Sequence, residues 1–416
     1  MDPDLAQQMF EEGGTLVMLG MPTGTEFGID LNSWNIGERF KGVKMIPPGL
    51  HFIYFSAVSR QGDTAPRTGF FHVFQHREVL VRHYDPKDED LKMEDVDPEE
   101  VERIRAGLRD LDRHLGAYPL ESWEKWISLT QYIDSGELQR MLPESGRICS
   151  VIELASGNSW QRTGKQSKSD GTVAAETMSS ASSSDQSAAS GELSNLALQS
   201  STSTSNKHNT DSSSEIIILC SDIPKEEEPI PVLPEMIPKA GTQFRFSKFP
   251  DRPYHDGATP SEVTQYSLDS SYSVRQMIAK ANRPESMLSE LQLAFISFLV
   301  GQVWDGWEQW QRLLSALCRA EELLMQYPEL YTKFLSILHF QIHEVPEDLF
   351  VDIVESNNFL AAALTALFAN MSDNSNSLPP ALVKKAQRFK THVTRKFKWD
   401  LNLEDEGEDA PVIVET

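Results

Sequence analysis

Cysteine is scarce: the chain has three in 416 residues, Cys149, Cys220 and Cys318, and none lies within chelating distance of another in sequence. A count that is odd and sparse argues against a disulfide framework and for a reducing compartment. Positive charge is also short, with 38 Lys and Arg against 62 Asp and Glu and a formal net charge of −24. A body of that sign is repelled by phosphate backbones, so nucleic acid is not expected as the main ligand and basic protein surfaces are favoured. Long hydrophobic runs are missing. The longest, Leu288 to Trp304, is interrupted by Ser289, Glu290, Gln292, Ser297 and Gln302, which reads as a buried helix and not a membrane span. The opening Met1-Asp2-Pro3-Asp4-Leu5 has neither the basic region nor the apolar core of a signal peptide. The expected location is cytoplasmic and nuclear, with no membrane.

Catalytic signatures are missing too. His339 and His343 stand at i and i+4, but a zincin needs glutamate directly after the first histidine, where this chain has Phe340, and no third ligand is evident. Gly14, Gly20, Gly24 and Gly28 lack the Gly-Lys-Ser/Thr and the strand–turn–helix context of a phosphate cradle, so they read as turns. His51, His72, His76 and His83 cluster in a strand region with no cysteine or acid spaced to complete a metal site. No Gly-x-Ser-x-Gly elbow occurs. The expectation is a protein with no catalytic residue, cofactor, metal or small-molecule substrate, one that works by gripping another protein.

What is present falls into segments. Residues 1–160 read as a β-rich domain ending in helices. Leu5 to Phe10 forms a short helix and Thr15 to Leu19 a strand. Pro47-Pro48-Gly49 turns the chain into the aromatic strand Leu50 to Phe55. Gly69 to Phe74 and Val79 to Tyr84 flank a polar break at Gln75 to Glu78, which reads as a hairpin within a sandwich or barrel. Asp97-Pro98-Glu99-Glu100 opens a helix carrying Val101, Ile104, Leu108, Leu111 and Leu115, closed by Gly116. Trp123, Trp126, Ile127 and Tyr132 sit on a second helix.

Residues 161–222 include 18 serines and no aromatic residue, too little apolar surface to offset the entropy of ordering, so they read as a disordered linker whose one sticky patch is Glu215 to Cys220. Residues 223–260 hold eight prolines and predict an extended strap. Residues 261–403 read as an antiparallel helical array. Its stripes are Leu288, Leu291, Phe295 and Leu299; then Trp307, Trp310, Leu313, Leu314, Leu317 and Leu324; then Phe334, Leu335, Leu338 and Ile342. Pro346 starts a fourth helix with Leu349, Phe350, Ile353 and Val354, Phe359 to Phe368 is central, and the last helix runs from about Pro380 to Trp399. The fold class is α+β.

Two features speak of recognition. The last helix carries Lys384, Lys385, Arg388, Lys390, Arg395, Lys396 and Lys398 opposite the apolar stripe Leu382, Ala386, Phe389, Val393 and Phe397, a pattern shared by solvated faces and by contacts to RNA or acidic partners. Residues 404–416 are an acidic tail, Glu404 to Asp409, that delivers Pro411, Val412, Ile413, Val414 and Glu415 at the end. A free strand of this kind can add itself to an exposed sheet edge of a partner, and the acidic run can also fold back on the basic helix.

Several blocks resemble the A1-alpha2-repression (Aar-two) splicing-factor family: Gly24 to Asp30, Asn32 to Trp34, Phe40 to Gly49 with His51 and Phe52, Lys125 to Thr130, Ala240 to Ser247, Gly257 to Pro260, Phe350 to Val354 and Lys396 to Asp400. The likeness covers roughly 1–150 and 235–416 and omits the serine-rich stretch, which looks like a lineage insertion. It implies an assembly factor of the U5 snRNP. Such a factor binds the RNase H-like and Jab/MPN-like domains of the large central spliceosomal scaffold protein and keeps the RNA helicase off until maturation. It implies a β-rich domain followed by a VHS-like helical domain, a tail strand matched to Pro411 to Glu415, and release on phosphorylation. Without the resemblance, the competing readings are a membrane-traffic adaptor whose helices bind acidic peptides and an RNA-binding factor using the last helix.

Overall fold

Residues Thr15–Leu19, Leu50–Phe55, Gly69–Phe74 and Val79–Tyr84 are rich in β-branched and aromatic side chains, and all four become strands of a two-layer sandwich. The computed structural model describes residues 3–58, 64–156, 236–281, 283–345 and 359–399. Helix α1 (Pro3–Glu12) leads into β1 (Gly14–Leu19), β2 (Glu26–Ile29), β3 (Asn32–Asn35), β4 (Gly42–Ile46), β5 (Gly49–Ser56), β6 (Thr68–Phe74), β7 (Val79–Asp85) and β8 (Asp90–Leu91). After α2 (Pro98–Ala106) and α3 (Leu108–Leu111) come β9 (Leu115–Ala117), α4 (Trp123–Thr130), α5 (Ser135–Met141) and β10 (Ile148–Cys149). One sheet has the order β8-β7-β1-β4-β9 and the other β10-β6-β5-β2-β3. Leu16, Met18, Val43 and Leu80 from the first meet Phe27, Ile53, Phe55 and Phe70 from the second in one sealed layer.

The expected hairpin of β6 and β7 is not formed, because the two strands belong to different sheets. β6 pairs along its length with β5, in register from Gly49↔Phe74 to Phe55↔Thr68, and at its start with β10. β7 pairs instead with β1, parallel, from Thr15↔Val79 to Leu19↔His83. The polar break carries the chain across: Arg77 adopts φ 57° and its amide donates to Glu12 O, fixing the crossing against α1.

The helix opened by Asp97 is shorter than its apolar spacing implies. Asp97 caps it through Glu99 N as expected, but the chain stops at Gly107, restarts as α3, and by Leu115 is strand β9, parallel to β4. Leu108, Leu111 and Leu115 therefore lie outside α2, and Tyr132 lies beyond the end of α4. The β9 pairing decides the matter, since sheet burial of Leu115 outweighs one more helical turn.

The strap is extended where it is described. β11 (Leu154–Ser156) pairs with β12 (Met236–Pro238), and residues 239–259 form neither helix nor strand. Arg245 N donates to Met141 O at 2.7 Å, tying the strap to the end of α5. The linker 161–222, the strap residues 223–235, the helix expected from Pro346 and the tail 404–416 lie outside the described residues.

The helical half comprises α6 (Pro260–Leu268), α7 (Ser271–Ala281), α8 (Ser286–Leu299), α9 (Trp304–Cys318), α10 (Glu321–Gln326), α11 (Pro328–Glu344), α12 (Phe359–Asp373) and α13 (Pro380–Phe397). Leu324 sits on α10 and not on α9 as its spacing implied, because α9 ends at Cys318. Helix α8 is buried on every side from Ser286 to Ser297. Its polar residues Ser286, Ser289, Glu290 and Gln292 are bonded to the β-rich half and to the strap. Gln292 accepts from Tyr132 N at 2.9 Å and donates to Ser128 O at 3.2 Å, and Ser289 donates to Tyr132 O. Three of the interruptions that kept this run from reading as a membrane span, Ser289, Glu290 and Gln292, are thus groups that anchor it. No helix among the described residues is long and apolar enough to cross a membrane.

Alternation along β5 joins the two halves. Ile53 and Phe55 face the sandwich, while Leu50, Phe52 and Tyr54 belong to a core continuous with Trp126, Leu129 and the helical residues Leu288, Leu291 and Phe295. Trp126 Nε1 donates to Leu50 O at 2.6 Å, so even the indole of this core is satisfied.

Candidate partner-binding surfaces

The blocks that resemble the Aar-two family in the first half build a buried network. Asp30 follows β2 with φ 53°, a left-handed conformation that aspartate tolerates better than most residues. Its carboxylate accepts from Phe52 N at 2.9 Å and from Tyr118 Oη at 2.6 Å, and lies 2.6 Å from His51 Nδ1. His51 Nε2 donates to Pro47 O at 2.8 Å, which fixes the ring and the turn before β5. Burial and the Asp30 carboxylate push the Tyr118 hydroxyl far above the usual phenol range. Asp30, His51 and Tyr118 are each 1% exposed, so the trio is sealed from any substrate and acts as a clamp. Gly28 is required for a different reason: a Cβ there would stand 2.1 Å from Cζ of Tyr54.

The other histidines are dispersed. His72 pairs with Glu78 at 2.8 Å and His83 with Glu100 at 3.1 Å, and His76 is exposed. On α11, His339 meets a neighbour that sequence spacing does not reveal: the ring of His392, from α13, lies 4.6 Å away. Among the described residues no group of three ligand side chains is arranged to hold a metal ion.

The basic helix divides into two sets. Lys385 donates to Thr332 O at 2.6 Å and to Ser336 Oγ, and burial lowers its pKa. Lys396 donates to Ile342 O at 2.6 Å and His343 O at 3.1 Å, capping the carbonyls at the end of α11. Lys390 lies over the Phe368 ring at 5.9 Å. These three flank the apolar stripe and hold α13 to α11 and α12. Lys384, Arg388, Arg395 and Lys398 are exposed. The expected docking residues Pro411, Val412, Ile413, Val414 and Glu415 lie outside the described residues.

Two apolar surfaces escaped the sequence reading. Val151, Ile152 and Trp304, the last 60% exposed, line an indentation of about 170 Å³ beside Phe244. Leu268, 70% exposed, and Met325 line a shallow groove between α6, α10 and α12 whose rim carries Asp269, Glu321 and Glu322. No period marks such residues, because each stands at an element's end or just outside one.

A family model described as the AAR2 N-terminal domain matches residues 12–143, and one described as the AAR2 C-terminal repeat region matches residues 246–402. Both leave the serine-rich segment unmatched. The chain is 39% identical over 420 residues to a mouse (Mus musculus) protein named Protein AAR2 homolog, covering 100% of this chain and 97% of that one. The human (Homo sapiens) protein of the same name is 38% identical with the same coverage. The Caenorhabditis elegans one is 32% identical over 412 residues, covering 97% and 98%. The chain belongs to the AAR2 family.

Proposed function

We propose that this chain is a non-enzymatic assembly factor in pre-mRNA splicing, an assembly chaperone of the U5 snRNP that is both cytoplasmic and nuclear. It binds the large central scaffold protein through that protein's RNase H-like and Jab/MPN-like domains, and keeps the RNA helicase off until maturation. The observation that carries the reading is the full-length similarity to AAR2 homologues across both folded halves. Physical support comes from charge and chain chemistry. A net charge of −24 steers the body toward basic surfaces later needed for RNA, and Pro411 to Glu415 supply a strand for a partner's sheet edge. Phosphates on 161–260 would each add about −1.5 to −2 charges and oppose that interface.

The test is a binding measurement with the scaffold's two domains, using the full chain and a chain ending at residue 410. The expected result is at least a tenfold loss on truncation, with displacement of helicase by the full chain only. Equal affinity for both chains rejects the tail-strand reading, and failure of the full chain to bind rejects the assembly-factor reading. Phosphomimetic changes in 161–260 are expected to weaken retention of the scaffold in a pull-down, and equal retention counts against release by phosphorylation.

A further inference from the structure

Lys384, Arg388 and Arg395 stand at i, i+4 and i+11 on α13, which at 3.6 residues per turn puts them in one straight stripe diametrically opposite the buried Leu382, Ala386 and Val393. Lys398 extends the stripe past the helix end. All four are exposed, and no carboxylate among the described residues pairs with any of them. A cationic stripe left open on a chain of net charge −24 is an anomaly that needs an anion.

We propose that the stripe is the docking site of the chain's own acidic run, Glu404, Asp405, Glu406, Glu408 and Asp409. Chain length and direction support the pairing. Lys398, the cap of α13, takes φ 57°, a left-handed conformation that ends the helix and turns the chain off its axis. The acidic run begins five residues past Trp399, a reach of about 17 Å, and the stripe from Lys398 to Lys384 is about 21 Å long. A chain running back antiparallel to α13 therefore brings its carboxylates past Arg395 and Arg388 toward Lys384. Tethering by so short a segment gives an effective concentration in the millimolar range, which free RNA or another acidic partner would have to exceed. The docked run carries Pro411 to Glu415 with it, so the strand is withheld until a partner competes. The inference rests on the proposed function only in that last step.

The experiment is done on the full chain without any partner, so that its failure is separable from failure of scaffold binding. Carbodiimide, which joins adjacent carboxylates and lysines, is applied at low protein concentration and the products are mapped by mass spectrometry. Intrachain links from residues 404–409 to Lys384 or Lys398 are expected at low salt, falling at least threefold in about 0.5 M NaCl as exposed pairs are screened. Links from these lysines only to other acids, such as Glu347, Asp348 or Asp352, overturn the proposal. In a second arm, R388E/R395E and a tail with all five acids changed to Asn or Gln are compared by NMR. The α13 variant is expected to shift the backbone amides of 404–409 and the tail variant those of α13, and unmoved signals in the unsubstituted segment of both overturn it. In a third arm, a fluorescent oligouridylate is expected to bind a chain ending at residue 403 at least threefold more tightly than the full chain. Equal binding shows an open stripe and overturns the proposal.

Discussion

The guanidinium of Arg67 donates to the carbonyl oxygen of Val300 at 2.6 Å, across 233 residues of sequence. The same side chain pairs with Glu26 at 3.1 Å and lies 4.4 Å from the centre of the Tyr54 ring. Arg67 precedes β6 and Val300 ends α8, so one residue ties the sandwich to the most buried helix. The planar fork makes this possible, because it donates in two directions while its face rests on an aromatic ring.

Replacing Arg67 by Ala is expected to cost about 2–4 kcal/mol, since Val300 O loses its donor and Glu26 its partner in a half-buried joint. Arg67→Lys is expected to recover less than half, as a single ammonium cannot serve both acceptors. Thermal midpoints of the three chains check this. A midpoint for Arg67→Ala within a degree of the parent's would show the joint to be incidental.

The Asp30 network gives a second expectation. Asp30→Ala leaves His51, Tyr118 and Phe52 N without their shared acceptor inside a sealed core, and is expected to cost about 3–5 kcal/mol. Asp30→Asn keeps the shape but presents an amide to donors and is expected to fall between. Denaturant midpoints would rank parent, Asn and Ala in that order, and any other order contradicts the clamp.

These joints explain how much the sequence disclosed. The apolar period located β1, β5, β6 and β7 correctly, because burial of one strand face is a local property. Pairing is not local, so the adjacency of Phe74 and Val79 argued for a hairpin while the open edge that β7 fills belongs to β1. The basic residues of α13 were legible as a set, but their division was not. What separates Lys385 and Lys396 from Arg388 and Arg395 is the position of α11, seen only once its carbonyls lie beside them. The exposed Trp304 and Leu268 left no signal, since a lone apolar residue at a helix end reads the same whether covered or bare.

Acidification is expected to loosen the contact of α11 with α13. Burial, then His343, then Lys385 lower the pKa of His339; burial, then His339, His343, Lys396 and Arg395 lower that of His392. Both rings thus bind a proton less readily in the folded chain than in the unfolded one. Stability is intact above the unfolded value, about 6.5, and falls as pH drops toward the lower folded values, because unfolding takes up protons there. Urea midpoints measured from about pH 7.5 to pH 5 should decline, and the decline should be shallower in His392→Gln. Parallel curves for the two chains would show that the pair carries none of the dependence.

Glu290 makes the sharpest test of how the strap is held. This carboxylate is wholly buried on α8 and accepts from Ser247 N and Ser247 Oγ, both at 2.6 Å, and from Gln309 Nε2 at 2.8 Å, with Arg140 3.5 Å away. Two of those bonds come from the strap itself, and Gln309 also donates to Ser247 O at 3.0 Å. Glu290→Gln turns one accepting oxygen into a donor among donors, and Glu290→Ala removes the acceptor altogether, so both are expected to free the strap, the second more completely. The measurement is limited trypsin digestion, read at Arg245 and Lys248, which stand on either side of Ser247. Cleavage there is expected to rise at least tenfold in Glu290→Ala, while cleavage within the serine-rich segment stays as in the parent. Unchanged rates at Arg245 and Lys248 would mean that Phe244, Phe246 and Phe249, packed on the helical core, hold the strap without the carboxylate.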